Sequence, residues 1–480
     1  MPLPTIPSGN VASALGGGYE VANSCRFNFG DSPKLSKSVS SGSGSTKFTF
    51  SCWFKTTTVN SSYGRLLWNG DSGGSYETHV TLYADGRLAV YWNNGSDGAR
   101  SWLTNRKLLD PAAWYHLAVI YDSTDSTAGD RLQIWINGVR ETSFSESTNP
   151  GSNEVINVFK ADVLSIGREV TSADRFSFDG YLAEVCVIDG TDYPATSFGE
   201  FSETSPTIWK PKDVSSLTFG TNGFYLDFED SANLGNDANG GTDLDESNIA
   251  ATDQCVDSPT NNFCTMNPLN ISSYGTLSEG NCLITGNSSS DTGNVASTMA
   301  ASAGKWYAEC KVGGKTGDYP RPGFQHTNGT NYGRQVNGTD GGAGGLTDSG
   351  GVYAADGDKF VSDTLSTYGA SFADNNIVNL AIDCDNGAAY VGVNGTWSNS
   401  SDPTSGASKT GAILTWTPAD VTETGFAAVT YNSSNLSFNF GNPAYANSSD
   451  AADANGYGKF EYAPPTGFYA LCTKNLAEFG

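Results

Sequence analysis

Charge is scarce in this chain of 480 residues, and basic charge is scarcest. Charged residues make up 16%, against about 25% in an average soluble domain. Lys plus Arg number 26 against 51 Asp plus Glu, a formal net charge of -25. Such a surface repels a nucleic-acid backbone, which excludes nucleic acid as a partner. No run reaches the ~18 apolar residues that a membrane span needs, so membrane insertion is excluded as well. The opening MPLPTIPSGNVASALGGGY has neither the positive charge nor the apolar core of a secretory leader. A protein that starts this way is expected to leave a cell, if it leaves, by some route other than the usual secretion. There are 3 histidines, His79, His116 and His326, scattered along the chain, and no CxxC occurs. Zinc sites and Ser/His/Asp sets therefore lack support. No Gly-rich loop precedes a helix, which leaves phosphate cradling unsupported. Helical periodicity is almost missing.

What is present is glycine, aromatic residues and alternation. Glycine accounts for 57 residues, about 12%, against a usual ~7%. Aromatics are 12%, too many for a disordered chain. At roughly 150 residues per domain the length predicts three domains or two large ones. The 9 cysteines are an odd number. Cys52, Cys186, Cys310 and Cys384 lie in apolar, strand-like runs and read as buried, reduced thiols that behave as small hydrophobes.

Short alternating segments bounded by Gly, Asn, Asp and Ser are the pattern of an all-β sandwich. In KFTFSCWFK, Phe48, Phe50, Cys52 and Phe54 share one face, and Lys47, Thr49, Ser51, Trp53 and Lys55 the other. WYHLAVIY, residues 114–121, is apolar on both faces, as a central strand of a packed sheet would be. LQIWINGVR points Leu132, Ile134 and Ile136 one way and ends at Asn137-Gly138, a dipeptide suited to a tight hairpin turn. Another cluster begins near residue 285. KWYAECKV sets Trp306, Ala308, Cys310 and Val312 against Tyr307, Glu309 and Lys311. The unit Leu117–Asp122, loop, Ile134–Gly138 is matched by Leu380–Asp385, then Tyr390–Gly395. Either these are two unrelated hairpins, or the chain holds two sandwiches of related topology. The predicted fold is all-β: two tandem antiparallel β-sandwich (jelly-roll) domains joined by an irregular packed strap. The expected bounds are an N-terminal arm at 1–22, a first sandwich at 23–200, the strap at 201–284, and a second sandwich with a closing segment at 285–480.

The N-terminal cluster resembles the laminin-G-like, concanavalin-A-like family over about residues 23–200. Phe48–Lys55, Leu66-Leu67-Trp68, Thr81–Asn93, Trp114–Val119, Trp135–Gly138, Ile166-Gly167-Arg168 and Phe178–Val185 carry the likeness. The C-terminal cluster resembles a SPRY-type sandwich, through Gly304–Glu309, Phe438–Gly441 and Pro464–Phe468. Gly223–Phe228, Asp257–Leu269 and Thr473–Glu478 are similar to virion structural proteins of tailed phages from marine bacteria. That resemblance implies a virion protein assembled in the host bacterial cytoplasm and released by lysis. No leader is needed for that route, and cytoplasmic thiols stay reduced. It implies other virion proteins and host surface polysaccharide as partners, and a homo-oligomer. The expected role is a tail fibre or appendage binding host glycans. The alternatives are a capsid decoration protein packing on virion neighbours and, third, a polysaccharide depolymerase.

Catalysis on such a fold needs two carboxylates flanking the cleaved bond. The nearest acidic runs, Asp227–Asp230 and Asp243–Glu246, fall in the strap, and Glu184 and Asp189 lie five residues apart on an apolar strand. No catalytic residue is assigned and no enzyme is expected. Calcium is the one cofactor the laminin-G resemblance allows, through loop oxygens, yet no EF-hand spacing occurs and the aspartates read as solvated surface. Sugar binding calls for aromatic faces beside polar groups. Trp53 and Trp135 fall on the polar faces of their strands, and Tyr91 and Trp92 stand at a strand end before Asn93-Asn94-Gly95. Tyr319 and Arg321, in the loop Asp318–Pro322, are the candidates of the second sandwich. The plainer reading of each is core or strand-edge packing. The Asn-x-Ser/Thr sequons at Asn60 and Asn394 follow from composition and are expected to stay unmodified.

Overall fold

The computed structural model describes residues 18–39, 43–57, 63–71, 76–95, 98–160, 162–170, 176–327, 349–361 and 364–480. Asn60 and the first 17 residues of the expected arm lie outside them. The chain is all-β, and it divides into two compact bodies with the boundary after Thr260.

The first body stacks two antiparallel sheets. One, the back sheet, runs Val139–Arg140, Leu132–Ile136, Tyr115–Asp122, Lys47–Thr56, Gly180–Asp189, Ser24–Phe27, Gln254–Cys255. The other, the front sheet, runs Phe144–Ser147, Ala99–Lys107, Arg87–Asn93, Glu77–Leu82, Gly64–Gly70, Val163–Ile166, Lys34–Ser38, Asp245–Ser247. Alternation decides what lies between them. Phe48, Phe50, Cys52 and Phe54 from the back sheet meet Leu66, Val80, Leu88 and Val90 from the front. At ~25 cal/mol per Å² of apolar surface, each such side chain contributes about 1.5–3 kcal/mol.

The strap is structured, and much of it belongs to this body. Phe224–Leu226 pairs with Gly180–Asp189, Asp245–Ser247 with Lys34–Ser38, and Gln254–Cys255 with Ser24–Phe27. The back sheet's outer face is covered too, where Trp53, Trp114, Tyr181 and Trp209 pack together with Val21. Lys55 and Asp257 form a fully buried ion pair there, at 2.8 Å, and the Trp114 indole N–H donates to the other Asp257 oxygen at 3.0 Å. Two tyrosines meet Glu184: the Tyr19 hydroxyl donates to it at 3.2 Å, and the Tyr225 hydroxyl, from the strap, at 2.8 Å. Glu184 stands at a bulge of its strand with φ 51°. Burial pushes its carboxyl up to about 8.

In the second body one sheet runs Met266–Ile271, Gly293–Ala301, Thr424–Thr430, Arg321–His326, Ser349–Val352, Lys359–Val361, Thr364–Ser366. Its partner runs Gly275–Ser278, Leu283–Gly286, Asn435–Asn439, Lys305–Gly313, Ile377–Asp383, Ala388–Val393, Thr396–Trp397. Trp306, Ala308, Cys310 and Val312 face inward against Phe324 and Phe426. Residues 261–284, expected in the strap, supply three of these strands. Their Asn, Ser and Thr content and Pro268 hide the alternation.

The repeated unit has one geometry in both bodies. Asn137 and Gly138 have φ 49° and 73°, and Asn394 and Gly395 have 49° and 78°. Each Asn side-chain oxygen accepts a backbone amide from the start of the preceding strand, His116 at 2.7 Å and Ile377 at 2.9 Å. Each hairpin sits beside the alternating strand of its own sheet, Lys47–Thr56 or Lys305–Gly313. The two sandwiches are related in local topology, not merely in content. All nine cysteines are buried. Among the described residues no helix is long and apolar enough to cross a membrane.

Candidate functional site

The front sheet places a row of side chains on its outer face. On Glu77–Leu82, Val80 and Leu82 point into the core, so Glu77, His79 and Thr81 point out. Cross-strand pairing then sets Ser165, Trp68, His79, Tyr91 and Ser101 opposite one another on five adjacent strands. Neighbours in such a row stand about 5 Å apart. The Tyr91 ring lies flat on the His79 imidazole, with centroids 4.7 Å apart and planes 11° apart. Tyr91 is half-buried, while His79 beneath it is buried. The tyrosine thus has a rigid backing on the protein side.

A polar network fixes the imidazole. Arg65 donates to Thr81 Oγ1 at 2.5 Å, contacts His79 Nδ1 at 3.2 Å and donates to Glu169 Oε2 at 3.1 Å. Its guanidinium lies over the Phe176 ring at 4.4 Å. Arginine can only donate, so His79 Nδ1 accepts and the ring proton sits on Nε2. Burial first, and the Arg65 charge second, hold His79 well below the usual imidazole range. It is a neutral, oriented ring. Beside it the half-buried Glu77 accepts from the Trp68 indole N–H at 3.4 Å. Burial raises the Glu77 carboxyl above its ordinary value, and the Glu169 charge adds to that.

A stacked aromatic plate, a carboxylate acceptor beside it and fixed polar neighbours are what a sugar ring asks of a protein. Hydrolysis asks for two available carboxyls. Here Glu169 is buried and engaged by Arg65. The Ser51–His116 pair on the back sheet is no nucleophile either. Ser51 Oγ and His116 Nε2 are 2.9 Å apart, but both are buried under Trp53 and Trp209. Burial alone pushes His116 down to about 3.

The sequence candidates do not converge. Tyr91 belongs to the front face. Its neighbour Trp92 points inward, fully buried, with its indole N–H on Glu154 Oε1 at 2.9 Å; the strand's period of two separates them. Trp53 is buried beneath the strap and offers no ring to solvent. Trp135, half-buried, lies on the back sheet and donates to Gln133 Oε1 at 3.0 Å. Tyr319 and Arg321 belong to the second body. Arg65, Trp68, Glu77, His79 and Glu169 escaped the sequence reading. The signal for them was period-two counting on 77–82, with a buried tryptophan and two charged residues directed outward. The strap's acidic runs do structural work: Glu246 Oε1 accepts the Leu234 amide, and Asp243 accepts the Asp237 amide. Among the described residues no three His, Cys, Asp or Glu side chains converge to hold a metal ion.

Residues 30–191, which carry the whole row, match the family model of laminin G type described as the concanavalin A-like lectin/glucanases superfamily. No curated protein matches the chain. Among solved structures it is similar to the SPRY domain of human HERC1, at 12% identity over 36% of this chain and 96% of that one, with a TM-score of 0.27. It is similar to the native heptameric SAP-like pentraxin from Limulus polyphemus, at 17% identity over 37% and 80%, with a TM-score of 0.27. It is similar to a putative carbohydrate binding protein from Bacteroides ovatus, at 15% identity over 48% and 59%, with a TM-score of 0.34.

Proposed function

We propose that the chain is a non-catalytic carbohydrate-binding protein whose first sandwich grips a glycan on the outer face of its front sheet. The observation that carries this is the Tyr91 plate backed by neutral His79, with the Glu77 carboxylate alongside. The match of this region to a lectin/glucanase superfamily model supports it. Tyr91 stacks on the C–H face of a sugar, Glu77 accepts a hydroxyl, and the network through Arg65 and Glu169 keeps the plate in place. The wider role we infer is that of a tail fibre or appendage in the virion of a tailed phage, present in several copies and binding host surface polysaccharide. The strap and C-terminal phrases support that reading. Repetition suits weak single sites, since linked copies raise avidity by about 10²- to 10⁴-fold.

A second reading, polysaccharide cleavage, draws on the raised Glu77 carboxyl near Glu169, a pattern of acid/base pairs. The Arg65 clamp on Glu169 argues against it. A glycan array of the full chain, followed by a reducing-end assay on every glycan bound, separates the readings. Binding without release of new ends supports the proposal. Release that stops in Glu77→Gln establishes the hydrolase, and an empty array overturns both.

A further inference from the structure

The second body holds a half-buried cation, Arg321, with which no carboxylate of the described residues pairs. Arg321 opens the strand Arg321–His326. Its guanidinium carbon lies 3.8 Å from the Tyr353 ring centre and 4.1 Å from that of Tyr319, with Phe360 at 5.8 Å. The cage is built from two loops. Thr316 and Tyr319 exchange backbone hydrogen bonds at 3.0 and 3.1 Å, and the Ala354 amide donates to the Asp318 carbonyl at 3.2 Å. Tyr319 packs on Ala427 and Val429, with Tyr431 5.1 Å away.

Two buried arginines have their counter-charges. Arg26 pairs with Asp253 and Arg65 with Glu169, both at 3.1 Å. Among the described residues no carboxylate pairs with Arg321, and its Nε is buried with no hydrogen-bond partner. Asp318 and Asp356 are exposed and stand near without closing on it. The ring faces attract the charge, and the Tyr353 hydroxyl offers one neutral acceptor. Neither replaces a carboxylate. Partial burial makes a missing counter-charge costly, and a guanidinium presents a planar fork that fits a carboxylate with two parallel bonds.

We propose that Tyr319, Arg321 and Tyr353 form a second ligand site, specific for the carboxylate of an acidic sugar such as a uronic acid. The ligand's carboxylate takes the in-plane donors of Arg321, and the tyrosines border the sugar ring. The choice of a sugar as carrier of that carboxylate rests on the glycan-binding reading above; the need for a carboxylate does not. Because the chain's net charge is -25, the general field opposes the ligand, and selectivity comes from this one cage.

Titration calorimetry of the full chain with oligogalacturonate, its methyl ester and a glutamate-rich peptide tests this. The free acid should bind, and the ester should bind at least about tenfold more weakly. Arg321→Gln and Arg321→Lys should each lose at least about tenfold, because lysine keeps the charge but not the fork. Tyr353→Phe reports on the site if an Arg321 variant fails to fold, and should weaken binding without altering the melting temperature. Tyr91→Ala should leave acid binding intact. No binding of the acid, equal binding of ester or peptide, or an unaffected Arg321→Gln variant overturns the proposal. Acid binding lost in Tyr91→Ala but kept in Arg321→Gln overturns it while leaving the first glycan site standing.

Discussion

Glu309 should make the second body less stable as pH rises, the reverse of ordinary acid denaturation. Its carboxylate is fully buried on the outer side of its sheet, beneath the closing segment. It accepts the backbone amides of Glu461 and Tyr462, both at 2.8 Å, the Tyr307 hydroxyl at 2.9 Å and Asn439 Nδ2 at 3.3 Å. Burial outweighs these four donors and lifts the carboxyl from the ordinary 4.5 to about 7. A carboxyl raised in this way binds its proton more tightly in the folded state than in the unfolded chain. Its contribution is therefore complete below pH 4.5 and is lost as pH climbs through about 7. At ~1.4 kcal/mol per pH unit, that interval is worth about 3 kcal/mol. Glu309→Gln keeps the shape and removes the charge. Urea unfolding followed by circular dichroism at pH 4.5, 6 and 8 should show wild type losing about 3 kcal/mol relative to the variant across the range. A difference between the two that stays constant with pH would refute the reasoning.

Three other outcomes follow from the packing. Lys55→Ala strands Asp257 in a fully buried place and should cost about 3–5 kcal/mol, whereas Lys55→Met with Asp257→Leu together should recover much of it; thermal melts of the first body decide. Gly138→Ala drives a Cβ into the Trp209 ring at φ 73°, so it should destabilise by at least ~1 kcal/mol and lower the melting temperature measurably. All nine cysteines are buried, and burial pushes the Cys52 thiol upward; a thiol reagent should label none quickly in buffer and nine per chain in denaturant, and a count below nine there would reveal disulfides.

The architecture was legible because sandwich strands write their burial at a period of two. Phe48, Phe50, Cys52 and Phe54, or Trp306, Ala308, Cys310 and Val312, could be assigned to a core from order alone, and the Asn-Gly turns marked the hairpin ends. Residues 261–284, expected in the strap, cluster with the second body, which was not legible because MNPLNI and LITG lack a clean period of two in their apolar residues. The candidate site was harder for a different reason. Aromatic residues on a strand's polar face looked exposed, but Trp53 is roofed by a strap more than 150 residues downstream, which no local pattern announces. Tyr91 and Trp92 are adjacent in sequence and face opposite ways. The row through Trp68, His79 and Tyr91 exists only once three strands are in register.

Sugar binding at the front sheet requires that Tyr91 and Glu77 both meet the ligand. Calorimetric titration of the array-selected glycan into wild type, Tyr91→Ala and Glu77→Gln measures that directly. A stack is worth about 0.5–1.5 kcal/mol and a charge-assisted hydrogen bond about 1.5–3 kcal/mol, so Tyr91→Ala should bind at least about twofold and Glu77→Gln at least about tenfold more weakly, each with an unchanged melting temperature. Wild-type affinity in both variants would contradict the claim that this face is where the protein binds.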